Sequence, residues 1–136
     1  MDYTKFNTDI AGFLNDNNIQ SDTGYIIITS LSKRQTYIYK SINNIRTLLY
    51  TWSCSIGAPA TPTIKGDFKV GIKLPKIGRY DKYSAKWATQ ISGNYLYHSV
   101  LYNYEGTLVI DGRIGYAISH GCIRLETINA KWIYDN

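Results

Sequence analysis

The chain has 136 residues and a net charge of +5, from 15 Lys and Arg against 10 Asp and Glu. That is the size of one domain with its own core, and the charge suits an anionic partner such as cell-wall polymer, membrane surface or nucleic acid. The lysines are scattered without a nucleic-acid-binding motif, and no run approaches the ~20 apolar residues of a membrane span, so neither nucleic acid nor membrane insertion is expected of this chain.

Residues 1–23 are polar, apart from Ile10, Phe13 and Leu14 at helical spacing. They predict a short N-terminal helix or an arm. From Tyr25 the pattern turns to β, consistent with thirteen tyrosines in the chain. Residues 25–29 are a short apolar run, residues 31–34 a turn, and residues 35–40 alternate; residues 46–53 read as a third strand. Pro59 and Pro62 keep residues 57–66 irregular. In residues 67–73, Phe68, Val70 and Ile72 alternate with Lys69 and Lys73, which predicts a half-buried strand. No period holds over residues 74–93, and twenty irregular residues suggest a lid, with an ordinary crossover loop as the alternative.

Residues 95–101 return to strand, with Leu96, His98 and Val100 on one face. A loop carrying Gly106 and Gly112 is expected over residues 103–113. Leu125, Ile128, Trp132 and Ile133 then recur at the spacing of an amphipathic helix.

The stretch Ser119-His120-Gly121-Cys122-Ile123-Arg124 carries the chemistry. Cys122 follows a glycine, with His120 two residues and His98 twenty-four residues upstream. A free thiol, with a pKa near ~8.5, needs a base to become a good nucleophile. His98, set inward between two apolar residues, is the candidate. Ser99 is placed to orient the other ring nitrogen through its carbonyl or hydroxyl. Gly121 permits a tight turn in which backbone N–H groups of His120, Gly121 and Cys122 converge on an oxyanion. The His120 side chain reads as a loop buttress, with a second base as the alternative. Arg124 is placed to hold a substrate carboxylate or to rigidify the site. Cys54, in mid-strand, reads as a buried free thiol rather than a disulfide partner.

The same hexapeptide resembles the signature of the L,D-transpeptidase (YkuD-type) catalytic domain family of bacterial peptidoglycan cross-linking. His98-Ser99 resembles its upstream histidine motif. Thr61-Pro62-Thr63 followed by Gly66-Asp67-Phe68-Lys69-Val70 resembles its TPT-G-x-F-x-I segment, in the family's order. The resemblance implies a catalytic domain over residues 24–136, behind the N-terminal arm or helix. With the strand spacing it implies a mainly β fold, two packed mixed sheets in a sandwich or distorted barrel, and one short helix after Cys122.

It further implies attack by Cys122 on a stem-peptide carbonyl, release of D-alanine, and resolution of the thioacyl-enzyme by a neighbouring amine to give a 3→3 cross-link. Arg124 and Ser119 would contact substrate, no metal or organic cofactor would be needed, and carbapenems would acylate the thiol. The partner is then the peptidoglycan stem peptide and the location the cell wall, outside the cytoplasm, with any signal or anchor upstream of these residues. Two departures stand out. Twenty residues lie between His98 and Ser119, longer than usual. The sequence also stops at Asn136, where family domains usually add a closing strand, so the expectation is either a truncated domain or a sheet one strand short.

The alternatives are an L,D-carboxypeptidase of the same fold, with water as acceptor, and a non-catalytic wall-binding module. A sortase shares the order His, Cys, Arg but wants a different strand motif. A zinc site of His98, His120 and Cys122 lacks a fourth ligand.

Overall fold

The computed structural model describes residues Met1–Asn136. Its contacts divide them into two compact units, Met1–Thr51 and Trp52–Asn136.

In the first unit, α1 (Ile10–Asp16) is capped by Asp9, whose carboxylate accepts the Gly12 N–H at 3.0 Å. Phe13 and Leu14 on its buried face join Ile26, Ile28 and Tyr39 in one core. Burial of each large apolar side chain there contributes roughly 1.5–3 kcal/mol. Two strands supply the rest of that core. β1 (Tyr25–Ser30) and β2 (Gln35–Ile42) pair antiparallel from Tyr25↔Lys40 to Ser30↔Gln35, and β3 (Ile45–Ser53) lies beside β2. Arg34, at φ 52, turns the hairpin.

The second unit carries the remaining strands: β4 (Ile56–Gly57), β5 (Lys73–Arg79), β6 (Tyr83–Ser92), β7 (Tyr95–Ser99), β8 (Leu101–Tyr102), β9 (Val109–Asp111), β10 (Ala117–Ser119) and β11 (Ile123–Leu125). They form a six-stranded mixed sheet in the order β11-β7-β6-β8-β9, with β5 also on β6, and a parallel pair of β10 and β4. Helix α2 (Thr127–Asp135) packs against β6, β7 and β11. The fold is mainly β, with curled mixed sheets and one short helix after the cysteine motif.

Four expectations need correction. Residues 67–72 alternate but form no strand, and Phe68, Val70 and Ile72 are 37 %, 50 % and 62 % exposed. Only Gly71 and Ile72 reach the sheet, through backbone bonds to Gln90, and β5 starts where the alternating pattern ends.

The irregular lid over residues 74–93 is instead the β5–β6 hairpin. Its buried positions are small or polar (Ser84, Ala85, Ala88 and Thr89), so burial leaves no apolar period. Trp87, within β6, sits at φ 56, a strained conformation for a bulky residue.

The segment 103–113 is not all loop, because β9 pairs with β8 through Leu101↔Asp111 and Tyr102↔Val109. Finally, Leu125 belongs to β11, and Ile128 is 74 % exposed. Starting after Glu126, the helix buries Ile133, as expected, together with Ala130, while Trp132 meets Trp52 edge-on at 6.0 Å.

Candidate active site

Parallel pairing of β11 with β7 aligns Ile123 with Tyr97, Arg124 with His98, and Leu125 with Ser99. Aligned residues of neighbouring strands project to the same side of a sheet, and alternate residues to opposite sides. Leu96, His98, Cys122 and Arg124 therefore share one face. All four line a cavity of about 460 Å³, with Ser119 and His120 at the same wall. Tyr97, Ile123 and Leu125 are buried on the other side.

His98 is 5 % exposed, and its Nδ1 lies 2.6 Å from the Ser99 carbonyl oxygen. With Nδ1–H donating to that carbonyl, Nε2 is the ring atom left to accept a proton. Burial pulls the pKa of His98 down to about 4, helped by the Arg124 charge and opposed by the Ser99 carbonyl. Of the two orienting groups considered for Ser99, the carbonyl serves. The Ser99 hydroxyl accepts the Lys86 N–H at 2.8 Å and donates to the Val100 carbonyl at 2.7 Å.

The Cys122 thiol donates to the Asn94 carbonyl at 3.4 Å. Its pKa is raised by burial, against the opposing pull of the Leu96 backbone and the Arg124 charge. The resting pair is thus a neutral thiol and a neutral imidazole.

The loop before Cys122 is held on all sides. Ser119 Oγ donates to the Cys122 carbonyl at 2.6 Å and accepts the Gly121 N–H at 3.1 Å. Those bonds hold the loop together and engage the hydroxyl that was expected to contact substrate. They also commit the Gly121 N–H, one of the three expected oxyanion donors. Gly121 has φ +124, and a Cβ there would lie 2.7 Å from Tyr95 Cε1, so only glycine fits. The Thr61-Pro62-Thr63 segment braces the same loop: Thr61 Oγ1 donates to the Ser119 carbonyl, which also accepts the Ala58 N–H. Thr63 Oγ1 accepts the Gly57 N–H at 2.9 Å.

Arg124 is anchored through its backbone, which exchanges two hydrogen bonds with Ser55 at 2.9 Å each. Its Nη1 lies 3.1 Å from Asp111 Oδ2, while its buried Nε has no partner. His120 is exposed beside the cavity. The structure joins His98 and Cys122 in one cleft but holds no group of three or more His, Cys, Asp or Glu able to grip a metal ion. Cys54 is fully buried and forms no disulfide.

Sequence reasoning missed Asp111, Asn94 and Tyr95. The proximity of Asp111 and Arg113 was the one available signal; nothing in the sequence marks a carbonyl or a ring edge as a contact.

Known proteins resemble this chain in sequence and fold. YciB of Bacillus subtilis (strain 168), an L,D-transpeptidase by name only, is 30% identical over 122 residues, which are 81% of this chain and 59% of that protein. A fused Zn-dependent amidase/peptidase/peptidoglycan-binding domain-containing protein from Clostridium acetobutylicum ATCC 824 superposes with TM-score 0.76 at 40% identity, covering 93% of this chain and 53% of that one. The L,D-transpeptidase LdtMt1, solved with imipenem, gives TM-score 0.61 at 25% identity, over 82% of this chain and 54% of that one. The chain thus spans little more than half the length of these relatives. The profile of the YkuD family, the L,D-transpeptidase catalytic domain, matches residues 24–136, and the chain belongs to that family.

Proposed function

We propose that this domain is a cysteine-dependent L,D-transpeptidase that forms 3→3 cross-links between peptidoglycan stem peptides in the cell wall. The observation that carries the reading is the β11–β7 register, which turns Cys122 and His98 to the same cleft.

The neutral pair suits general-base catalysis on demand. His98 Nε2 takes the thiol proton as Sγ leaves the Asn94 carbonyl and attacks the carbonyl carbon of the stem's diamino acid. The N–H groups of His120 and Cys122 are the candidate donors to the oxyanion, since that of Gly121 is engaged. As the tetrahedral adduct collapses, the C–N bond to D-alanine breaks and His98 returns the proton to the departing amine. A side-chain amine of a second stem then attacks the thioester, forming an amide and releasing the thiol. Water in its place would make the domain an L,D-carboxypeptidase. Arg124 is the cleft's permanent cation, suited to the donor's carboxylate.

An extracytoplasmic location follows from this reading. No helix is long and apolar enough to cross a membrane.

A carbapenem provides the test, because it presents a strained acyl donor without an acceptor amine. Intact mass spectrometry should show a single adduct on Cys122 that is absent from Cys122→Ala. An adduct on Cys54, or none on folded protein, would overturn the assignment. Incubation with tetrapeptide stems then separates cross-linked dimer from hydrolysed tripeptide.

A further inference from the structure

We propose that Asp111, in the long connection between His98 and Cys122, is a positioning residue that acts through Arg124 to set affinity for the anionic acyl donor. This rests on the acyl-transfer reading above.

Arg124 is a cation buried at the wall of the cleft, and an unpaired buried charge is costly. Asp111 supplies its counter-charge from β9, where it is aligned with Leu101, another residue of the cleft wall. The carboxylate is itself fixed. Arg113 grips it with Nε on Oδ1 at 3.0 Å and Nη2 on Oδ2 at 2.9 Å, and the Arg113 backbone N–H adds a bond to Oδ1 at 3.2 Å. Such a two-point fork sets orientation as well as distance. The Arg113 carbonyl in turn accepts from Ser55 Oγ at 2.9 Å, and Ser55 is the residue that holds the Arg124 backbone.

Arg124 is therefore held at both ends, by Ser55 at the main chain and by Asp111 at Nη1. The Nε between them is buried and has no acceptor. A buried donor without a partner is rare and unfavourable in a finished structure. A carboxylate or carbonyl oxygen of the bound donor would complete it. Two guanidinium groups on one carboxylate also leave the trio with a net positive charge, and Arg124 is its member at the cleft wall.

The test is steady-state kinetics with a soluble tetrapeptide stem ending in D-alanine, on variants whose folding is checked by circular dichroism. Asp111→Asn should raise KM about tenfold, the loss expected for one charged hydrogen bond, with kcat changed by less than about twofold. Asp111→Glu, which keeps the carboxylate, should recover most of the affinity. Asp111→Asn combined with Arg124→Gln should be no worse than Arg124→Gln alone, because the aspartate acts through the arginine.

Arg124→Lys is the second variant, and it holds even if Asp111→Asn fails to fold. It keeps the charge and loses Nε, so its KM should rise as in Arg124→Gln. An unchanged KM in Asp111→Asn or in Arg124→Lys, or penalties that add in the double variant, would overturn the proposal. Turnover that survives in Cys122→Ala would instead remove the acyl-transfer reading beneath it.

Discussion

Thr61 Oγ1 donates to the carbonyl of Ser119 at 2.7 Å, joining two points 58 residues apart in the chain. The second brace on that carbonyl is the Ala58 N–H. Thr61→Val keeps the shape of the side chain and removes one of the two bonds. Stability should fall by only ~1 kcal/mol, while the loop before Cys122 loosens and kcat drops by about tenfold or more. Parallel melting and turnover measurements check this, and a loss of Tm with full kcat would mean that the brace serves the fold alone.

Gly121→Ala should be far more damaging. The added methyl meets the Tyr95 ring, and φ +124 is itself strained for alanine, at roughly 1–3 kcal/mol. Tyr95→Ala in the same chain should restore part of the lost stability by removing the clash, but not the part due to φ. Denaturant midpoints of these two variants, beside Tyr95→Ala alone, report the split directly.

The protonation states predict a particular reactivity profile. Burial raises the Cys122 thiol and lowers His98 to about 4, so no thiolate–imidazolium pair exists near neutrality. Alkylation of Cys122 by iodoacetamide should keep rising with pH through 9, without a plateau between pH 5 and 8. His98→Ala should lower the rate near neutrality and leave it closer to wild type at high pH. A flat rate across the neutral range would show that the thiolate forms before substrate arrives.

Acid should destabilise the fold in two separate windows. Because His98 is neutral when folded and titrates near 6.5 when unfolded, the unfolded chain binds more protons between those values. The stability it contributes is full above pH 6.5 and is lost as pH falls toward about 4, by up to ~3 kcal/mol. Asp111, held below the usual carboxylate range by Arg113 and then Arg124, contributes above 3.8 and loses that contribution below it. Urea midpoints from pH 7.5 to 4 should fall in wild type and flatten in His98→Gln. Equal slopes in the two proteins would place the loss elsewhere.

The hexapeptide around Cys122 and the inward set of His98 were legible because each depends on local sequence: a glycine before a thiol, and a period of two. The first hairpin was legible for the same reason. What stayed hidden depends on partners far away in the chain. Ser84, Ala85, Ala88 and Thr89 are buried without looking apolar, so the β5–β6 hairpin read as a loop. Phe68, Val70 and Ile72 alternate correctly, yet they stay exposed and no strand forms. Ile128 has helical spacing and faces outward, because the helix begins only two residues after Leu125; it buries Ile133, which the spacing marked, with Ala130, which it did not. The pairing of Asp111 with Arg124 needs β9 and β11 placed in the same sheet, which no local pattern records.

The parallel alignment of β11 with β7 also acts as a check on folding. A slip of one residue would reverse every side chain of β11, sending the charged guanidinium of Arg124 toward α2 and bringing Ile123 and Leu125 out into the cleft. That alternative strands a charge away from Asp111 and exposes two aliphatic side chains, so it is disfavoured at the level of the whole domain. Misaligned chains should therefore be unstable rather than merely inactive. Quality control in the cell that removes unfolded protein would then, by the same action, remove nearly every copy with a misassembled catalytic pair.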